Sequence, residues 1–334
     1  MKAVILVGGF GTRLRPLTLT TPKQMLPVLD RPMIERVVAG LARFGVTDAV
    51  LSLGYRPDGF ITAYPDDRCA GVRLHYAVEP EPLDTAGAVR FAATDAGIDK
   101  TFLVVNGDVL TDLDVAALWD LHRSTNAEAT IALTPVEDPS RYGVVPIDDR
   151  GQVTAFIEKP PRDEAPSNWI NAGTYVLEPS VLDRIPAGRP VSIERETFPA
   201  LVADQALFAL PSESYWVDAG TPATYLQVQL DLIDGRRGPA ETAIAPTAKL
   251  DADATVDHSV VLDGAVVEAG ATVRDSLLMA GAHVGAGAVV EGSIVGPGSV
   301  VEAGASLRAL TVTGAGARVD AAQQLSGARV PESV

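Results

Sequence analysis

A glycine-rich segment near the N-terminus is followed closely by basic side chains. Residues 8–13 read Gly-Gly-Phe-Gly-Thr-Arg, directly after the apolar run at residues 3–7. Glycines after a buried strand let the backbone approach a ligand, and their N–H groups can point at phosphate oxygens. Arg13, Arg15 and Lys23 add two guanidinium groups and one ammonium group. Because these donors come from one short segment, the pattern predicts a phosphate-binding site.

Two common phosphate-binding motifs do not fit this segment. The Walker motif needs Gly-Lys followed by Ser or Thr, and no such triplet follows the glycines here. The dinucleotide-binding motif needs a third glycine, and Leu14 follows Arg13 where that glycine would be sought. If the glycines are considered alone, a plain strand-to-helix connection remains an alternative to a phosphate-binding loop.

A second candidate site follows the apolar run at residues 102–105. Asn106, Gly107 and Asp108 end this run with a carboxylate at its tip. Magnesium is usually bound by one or two protein carboxylates together with substrate phosphates. Asp108 is therefore a candidate magnesium ligand, and a turn-capping aspartate is the alternative interpretation.

The first two thirds of the chain alternate between strand and helix patterns. Apolar residues recur at helical spacing over residues 33–44, and strand-like runs occur at residues 50–55, 72–78 and 102–105. This alternation predicts an α/β domain with a mixed, mostly parallel sheet and helices on both faces. Ligands of such sheets bind beyond the carboxyl ends of the strands, where the glycine segment also lies.

The last third repeats with a period of seventeen residues. Ser259, Ser276 and Ser293 keep this step, and the glycine and aliphatic positions follow it in the same phase. The pattern is typical of a left-handed parallel β-helix of hexapeptide repeats, with room for about four coils. His258 and His283 are twenty-five residues apart and therefore occupy different registers. We therefore expect a domain for assembly and stability rather than a metal site or an acyl-transfer site.

Composition limits the class of protein. The chain has 334 residues, which is enough for two domains, and its net charge of −16 argues against a general nucleic-acid or membrane surface. The single cysteine rules out an intramolecular disulfide and fits the reducing cytoplasm. We expect no signal peptide and no membrane span, and therefore a cytoplasmic protein.

Residues 8–18 and 22–28 resemble the opening of the sugar-1-phosphate nucleotidylyltransferases over a long gapless stretch. The resemblance continues to about residue 232 and implies a Rossmann-like nucleotidyltransferase domain. It assigns catalysis to Arg13 and Lys23, with the arginine on the departing pyrophosphate and the lysine on the reacting phosphates. It also implies a nucleotide-binding set: Leu6, Gly8, Gly9, Gly11, Thr12, Arg13, Pro82, Thr85, Ala86 and Gly87. Residues 82–87 of this set form a turn in the family. Asp84 lies in it at a position where the family commonly has glycine, and aspartate tolerates a positive φ better than most residues.

The same resemblance supplies a sugar-phosphate pocket and a metal. Lys159 would hold the sugar phosphate and Glu158 the sugar hydroxyls, while Asp108 and Asp218 would share Mg²⁺. The full sugar-phosphate set is Asn106, Gly107, Tyr142, Gly143, Glu158, Lys159, Asn171 and Trp216. No protein nucleophile is implied. We place the catalytic domain at residues 1–234, a linker at 235–245 and the β-helix at 246–330.

Within the family, the order of the motifs resembles most closely the mannose-1-phosphate guanylyltransferases, which use GTP and mannose 1-phosphate. Gln24 points elsewhere, because Lys-Gln resembles glucose-1-phosphate thymidylyltransferases and the mannose enzymes usually have Lys-Pro. The alternatives are therefore a thymidylyl-, uridylyl- or adenylyltransferase acting on glucose 1-phosphate, or a catalytically silent regulatory paralogue. A nucleoside triphosphate and a sugar 1-phosphate are the expected partners, and we expect a homo-oligomer assembled through the β-helix.

Overall fold

The computed structural model describes residues 1–54 and 57–331. Its residues cluster into two compact units. The first unit contains Met1–Gly9 and Ile34–Trp216, and the second contains Phe10–Met33 and the chain from Val217 onward. The glycine-rich segment is therefore divided between the two units, with its first two glycines in one and Gly11 in the other.

The first unit contains a mixed ten-stranded sheet. Its strands are β1 (Lys2–Leu6), β4 (Asp48–Leu53), β5 (Arg68–Cys69), β6 (Val72–Val78), β7 (Phe102–Asn106), β9 (Ala129–Pro135), β10 (Gly143–Val144), β11 (Ile157–Glu158), β12 (Trp169–Leu177) and β13 (Leu207–Pro211). The central strands β7, β1, β4 and β6 run parallel, while β12 is antiparallel to both β7 and β9. The mixed, mostly parallel sheet predicted from the sequence is confirmed. The predicted strand at residues 50–55 ends at Leu53, and Tyr55 lies outside the described residues.

Helices accompany this sheet in the order expected for an α/β domain. They are α1 (Met33–Ala42), α2 (Asp58–Ala63), α3 (Asp84–Asp95), α4 (Val115–Thr125), α5 (Ser180–Asp183) and α6 (Phe198–Ala203). The predicted helix at residues 33–44 stops at Ala42, because Phe44 and Gly45 form a turn. Buried aliphatic residues of β1, β7 and α3 share one core with Phe102, Tyr175 and Phe198. This core fixes the strand ends from which the predicted site residues project.

The second unit contains a short hairpin, a helix and three narrow sheets, and three 3-10 turns precede the hairpin: Thr12–Leu14, Leu17–Leu19 and Lys23–Met25. The hairpin pairs β2 (Pro27–Val28) with β3 (Arg31–Pro32). Helix α7 (Pro222–Ile233) follows the short strand β14 (Trp216–Asp218), and the remaining short strand is β8 (Val109–Thr111) in the first unit. Thr221 caps α7 through a capping box with Thr224, and Pro222 is the first helical residue. Helix α7 therefore begins at a capping signal that is local in the sequence.

The C-terminal repeat folds into three parallel sheets of five strands each, in agreement with a left-handed β-helix. The first sheet contains Lys249–Leu250, Val266–Val267, His283–Val284, Val300–Val301 and Arg318–Val319. The second contains Thr255–Asp257, Thr272–Arg274, Val289–Glu291, Ser306–Arg308 and Gln324–Ser326. The third contains Val260–Val261, Leu277–Leu278, Ile294–Val295, Val312–Thr313 and Arg329–Val330. Five coils form where the sequence suggested about four.

The fifth coil was hidden from the sequence pattern by one extra residue. Strands pair at a step of seventeen residues up to the pair Val289 and Ser306. The next three pairings have a step of eighteen: Ile294 with Val312, Val300 with Arg318 and Ser306 with Gln324. The extra residue lies at one corner of the coil, where Ala309 and Leu310 both have positive φ angles of 51° and 63°. At the same corner, earlier coils have a single residue with a positive φ angle, for example Asp275 or Gly292. The insertion shifts the phase of every later residue, so a strict seventeen-residue search loses the repeat.

Candidate functional site

The first unit brings the ends of β1 and β7 together around Gly107. The Gly107 N–H donates to the Leu6 carbonyl at 2.9 Å. A Cβ atom at Gly107 would lie 2.7 Å from Val7 Cγ1 and 3.0 Å from the Leu6 oxygen. Only glycine permits this approach, which places Asn106 and Asp108 beside the start of the glycine segment. The predicted nucleotide residue Leu6 and the predicted sugar-phosphate residues Asn106 and Gly107 are thereby neighbours.

The turn before α3 is held by a buried carboxylate that the sequence analysis missed. Glu79 is 9% exposed, and its two oxygens accept hydrogen bonds from the Ser52 hydroxyl and the Leu83 N–H, both at 3.1 Å. Ser52 lies on β4, so the turn is tied to the sheet. Asp84 follows with a φ of 59°, which is the left-handed conformation expected where the family commonly has glycine. Its carboxylate accepts the Thr85 N–H at 2.7 Å, which stabilises this conformation locally.

The predicted nucleotide residues Thr85, Ala86 and Gly87 face a second segment of the first unit. The N–H groups of Ala86 and Gly87 both donate to the Val191 carbonyl, at 2.8 and 3.2 Å. The Thr85 hydroxyl accepts the Ile193 N–H and donates to Glu194, both at 2.8 Å. Thr85 therefore joins the turn to residues 191–194 rather than capping α3. Glu194 was not predicted, because its partner lies more than a hundred residues away in the chain.

The sugar-phosphate residues Tyr142, Gly143, Glu158 and Lys159 lie on one antiparallel hairpin. Strands β10 and β11 pair Gly143 with Glu158, and the Lys159 N–H donates to the Tyr142 carbonyl at 3.0 Å. The Lys159 ammonium group lies 2.9 Å from Glu158 Oε1, with 57% of the lysine side chain exposed. Lys159 itself has a φ of 51°. The hairpin thus presents one cation and one carboxylate side by side.

Asn171 and Trp216 complete this part of the first unit. The Asn171 oxygen accepts the Gly173 N–H, and its amide donates to the Tyr175 hydroxyl, both at 2.9 Å. A Cβ atom at Gly173 would lie 2.5 Å from the Asn106 amide nitrogen. The Trp216 indole donates to the Ala172 carbonyl at 2.9 Å. These contacts connect the two asparagines and Trp216.

The Trp216 ring also packs edge-on against Tyr142, with ring centroids 5.8 Å apart. Tyr142 therefore joins the hairpin of Glu158 and Lys159 to the strand that carries Asn171. Burial raises the pKa of the Tyr175 hydroxyl, which therefore stays protonated beside the Asn171 amide.

The second unit contains the other predicted basic residues. Arg13 Nη2 lies 4.0 Å from Asp218 Oδ2, while Asp218 Oδ1 accepts the Gly220 N–H at 2.8 Å. A Cβ atom at Gly220 would lie 2.6 Å from Asp218 Oδ1 and 2.7 Å from Arg13 Nη2. Gly220 is therefore the residue that lets the arginine and the carboxylate meet. Gly220 was not predicted as a site residue, although it follows Asp218 by only two positions in the sequence.

The remaining phosphate-site residues lie in a short irregular segment of the same unit. Gly11 has a φ of 58°, and its carbonyl accepts the Thr18 hydroxyl at 2.8 Å. A Cβ atom at Gly11 would lie 3.3 Å from the Lys23 Cβ atom. Gly11 thus lets the backbone pass close to both Thr18 and Lys23.

Asp108 and Asp218 have the ligand chemistry that a magnesium ion requires, since carboxylate oxygens are hard ligands and one or two suffice when substrate phosphates supply the rest. Among residues 1–54 and 57–331, no group of three or more His, Cys, Asp or Glu side chains is arranged as a metal site. The two aspartates belong to different units.

Cysteine and histidine side chains of the described chain have other roles. Cys69 is buried, and burial raises the pKa of its thiol to about 11. His122 is 2% exposed and bonds to Thr130 and Glu178, so it has a packing role. His258 and His283 bond to different acidic partners in the β-helix.

Comparison with known proteins decides the family. The model of the nucleotidyl transferase family matches residues 2–235, and a model described as the GMPPB C-terminal domain matches residues 239–332. The chain belongs to the nucleotidyl transferase family. A mannose-1-phosphate guanylyltransferase of Mycobacterium tuberculosis is 41% identical to this nucleotidyl transferase, over 80% of this chain and 71% of the relative.

Two further relatives support this assignment. A mannose-1-phosphate guanyltransferase of Schizosaccharomyces pombe is 43% identical, over 77% of this chain and 73% of the relative. The crystal structure of HddC from Yersinia pseudotuberculosis complexed with GMP-PN superimposes with a TM-score of 0.58 at 29% identity. That match covers 68% of this nucleotidyl transferase and 97% of the HddC chain. In the described part of this chain, no helix is long and apolar enough to cross a membrane.

Proposed function

We propose that this protein condenses GTP with mannose 1-phosphate to form GDP-mannose and pyrophosphate. The observation that carries the proposal is the 41–43% identity to mannose-1-phosphate guanylyltransferases, together with retention of Arg13, Lys23, Asp108, Lys159 and Asp218. Retention of these residues also argues against a catalytically silent paralogue.

The reaction is a single displacement at phosphorus. A phosphate oxygen of mannose 1-phosphate attacks the α-phosphorus of GTP, and the bond from that phosphorus to the bridging oxygen of pyrophosphate breaks. No protein nucleophile is required, because the attacking oxygen is already an anion. The protein's task is to hold two mutually repelling anions in line and to neutralise the charge that develops.

We propose distinct roles for the basic residues. Arg13 binds the β- and γ-phosphates, because it directly follows the glycine turn and its guanidinium group is held at Asp218. Lys23 binds the reacting phosphates from the same turn. Lys159 binds the sugar phosphate, while Glu158, whose carboxylate lies 2.9 Å from the lysine ammonium group, accepts hydrogen bonds from sugar hydroxyls. Arg13 therefore acts mainly on the leaving group, where negative charge increases in the transition state.

Asn106, Tyr142, Asn171 and Trp216 form the proposed floor of the sugar pocket. The Asn171 side chain is already bonded to Tyr175 and Gly173, so it would act by shaping the strand from which the Ala172 and Gly173 backbone faces the sugar. Thr85, Ala86 and Gly87 bond to residues 191–194, so they would hold the nucleotide turn in shape. Asp84 and Pro82 are exposed on that turn and available to the base.

Proteins of this family use a divalent metal, and we propose Mg²⁺ held by Asp108 and Asp218. When bound, the ion neutralises charge on the triphosphate and on the departing pyrophosphate. The single cysteine fits a cytoplasmic protein, and we propose a homo-oligomer assembled through the β-helix. The boundaries at residues 234 and 245 are likewise proposed as the ends of the catalytic domain and its linker.

A thymidylyltransferase acting on glucose 1-phosphate is the second candidate, and Gln24 is the observation that favours it. Gln24 is 1% exposed, and its side-chain oxygen has no hydrogen-bond partner among the described residues. A buried oxygen of this kind is costly unless a ligand or water donates to it. A hydrogen-bond donor of a bound substrate would satisfy this oxygen. A proline side chain at this position could not accept such a hydrogen bond.

A pyrophosphate-release assay separates the candidates. GTP, dTTP, UTP and ATP are each combined with mannose 1-phosphate and with glucose 1-phosphate at saturating magnesium. We expect the highest kcat/KM for GTP with mannose 1-phosphate. Faster release from dTTP with glucose 1-phosphate would establish the second candidate, and no release from any pair would establish a silent paralogue.

A further inference from the structure

One face of helix α7 is directed at the phosphate-binding segment Phe10–Met33, and both belong to the second unit. Thr221, Tyr225 and Gln229 are spaced four residues apart and therefore share this face. Thr221 caps the helix three residues after Asp218, the partner of Arg13. Tyr225 and Gln229 lie one and two turns further along.

Gln229 is fully buried and uses both ends of its amide on the same backbone turn. Its oxygen accepts the Leu29 N–H at 2.8 Å, and its nitrogen donates to the Pro27 carbonyl at 2.8 Å. The Tyr225 hydroxyl donates to the same Pro27 carbonyl. Leu29 has a φ of 53°, a conformation that non-glycine residues avoid unless their surroundings impose it. Two side chains of α7 therefore hold a strained hairpin turn in place.

This hairpin is linked by short contacts to Lys23. The Leu26 N–H donates to the Lys23 carbonyl at 3.1 Å, and the Met33 N–H donates to the Leu26 carbonyl at 3.0 Å. Lys23 in turn packs against Gly11, whose carbonyl is held by Thr18. The chain between the hairpin and Lys23 thus has little freedom, so a displaced Pro27 would move the Lys23 ammonium group. Small displacements of a phosphate-binding group are expected to cost catalysis.

We infer that Gln229, assisted by Tyr225, is a positioning residue for Lys23. The inference deepens the proposed function and rests on it for the role of Lys23. Gln229 does not touch substrate in this arrangement. It acts through the backbone of Pro27 and Leu29. Its removal leaves the Leu29 N–H without its buried acceptor and leaves the Pro27 carbonyl with the Tyr225 hydroxyl alone.

The test compares two glutamines on the same helix. Gln229→Leu removes the buried amide, and Gln227→Leu makes the same change at an exposed position of α7. Steady-state kinetics of the full chain with each substrate varied in turn gives both KM values and kcat, and equilibrium binding of GTP gives a readout without turnover. We expect Gln229→Leu to raise the KM and Kd for GTP by about tenfold or more. The KM for mannose 1-phosphate should change less than the KM for GTP, and Gln227→Leu should match the wild type.

Two milder variants keep the inference testable if Gln229→Leu does not fold. Gln229→Glu retains the acceptor for Leu29 but loses the donor to Pro27, and Tyr225→Phe removes only one hydroxyl donor. Each is expected to raise the KM and Kd for GTP, by a smaller factor than Gln229→Leu. A lowered melting temperature with unchanged KM and kcat in these variants would assign Gln229 a purely structural role and overturn the inference. Equal loss for both substrates would overturn it as well.

Failure of the proposed function can be distinguished from failure of the inference about Gln229, because it changes the activity of the wild type itself. If the wild type turns over another triphosphate, that triphosphate replaces GTP in every measurement. The ratio of its KM values, and of its Kd values, between the Gln229 and Gln227 variants still decides the inference. If the wild type turns over no pair, equilibrium binding of the triphosphate that it binds most tightly among GTP, dTTP, UTP and ATP serves as the readout. Equal affinity for that triphosphate in the wild type and the Gln229 variants would then overturn the inference.

Discussion

Buried polar groups of the β-helix and those around the predicted catalytic residues are satisfied in different ways. In the β-helix, the Ser259 hydroxyl accepts the Ser276 N–H, and the Ser276 hydroxyl accepts the Ser293 N–H, both at 3.1 Å. Each bond spans seventeen residues, so the same hydrogen bond repeats from one coil to the next. In the first unit, Glu79 accepts from Ser52, and Thr85 donates to Glu194, across 27 and 109 residues. Each of these bonds occurs once.

The difference predicts how each region responds to substitution. A ladder of equivalent bonds distributes stability over several coils, as in other repeat proteins. A bond that occurs once has no equivalent, and where it fixes a functional group its loss is expected to affect function directly. The largest effects are therefore expected at residues that touch the reacting groups, and the smallest in the β-helix.

The largest effect is expected at the proposed metal ligands. Asp108→Asn and Asp218→Asn remove one negative charge each while keeping the side-chain shape. In Asp218→Asn an oxygen remains for the Gly220 N–H. Loss of several kcal/mol of charge stabilisation should lower kcat by about a hundredfold or more. The measurement is pyrophosphate release at increasing magnesium concentration, with Asp120→Asn on the exposed face of α4 as the control.

Near-normal turnover of either variant at saturating magnesium would remove that residue from the metal site. A similar loss in Asp120→Asn would show a general effect of charge on the protein rather than a specific ligand.

The next effect distinguishes the two cations by substrate. Arg13→Ala should raise the KM for the triphosphate and slow turnover, since the arginine stabilises charge on the departing pyrophosphate. Lys159→Ala should instead raise the KM for sugar 1-phosphate. Loss of a charged hydrogen bond of about 1.5–3 kcal/mol corresponds to roughly a tenfold to hundredfold change.

Varying each substrate separately is the required measurement. A Lys159→Ala enzyme with only its triphosphate KM changed would show that the sugar pocket has been assigned to the wrong hairpin. Because Glu158 touches Lys159, Glu158→Gln should shift the same KM in the same direction.

The sequence predicted the regular features of both regions. Strand β6 matches the predicted run at residues 72–78, and α7 begins at the Thr221-Pro222 pair, a capping signal between neighbours in the chain. These elements follow from local periodicity and capping, which depend on neighbours in the chain. The β-helix was predicted for the same reason, until the extra residue at Ala309 and Leu310 broke the period.

The features that the sequence did not reveal depend on distant partners. Glu79, Glu194 and Gln229 are ordinary polar residues in their local context, and only the fold brings them to Leu83, Thr85 and Pro27. Resemblance to the family identified residues expected to touch substrate, but not the residues that hold those residues in place. Gly107 and Gly220 were visible as glycines beside the aspartates, and their need for close approach appeared only with the neighbouring atoms.

A moderate effect is expected on breaking the serine ladder. Ser276→Ala leaves the buried Ser293 N–H without its acceptor, which should lower the free energy of unfolding by about 1–3 kcal/mol. Ser306→Ala, on an outward-facing strand position, is the matched control and should change it little. Denaturant unfolding followed by circular dichroism measures both. Equal stability of the two variants would show that the ladder adds nothing beyond packing and would erase the contrast with the first unit.

The smallest effect is a pH dependence at one corner of the β-helix. The His258 ring bonds to Asp275 at 2.5 Å and to Asp234 at 2.9 Å, and Asp234 also pairs with Arg236 at 3.4 Å. The hydrogen bond to Asp275, with a further contribution from Asp234, raises the pKa of His258 above its ordinary value of about 6.5. A raised pKa in the folded state means that protonation favours folding. This contribution is complete below the unfolded pKa and is lost as pH rises through the folded pKa.

The stability difference between the wild type and His258→Gln should therefore be larger at pH 5.5 than at pH 8.5, measured as melting temperature over that range. Asp275→Asn removes the main cause of the shift, so the His258 titration followed by NMR should move to lower pH in that variant. Partial solvent exposure screens the pairs and keeps the effect small. A stability difference that does not change with pH would show that this ion pair, unlike the serine ladder, contributes nothing to the β-helix.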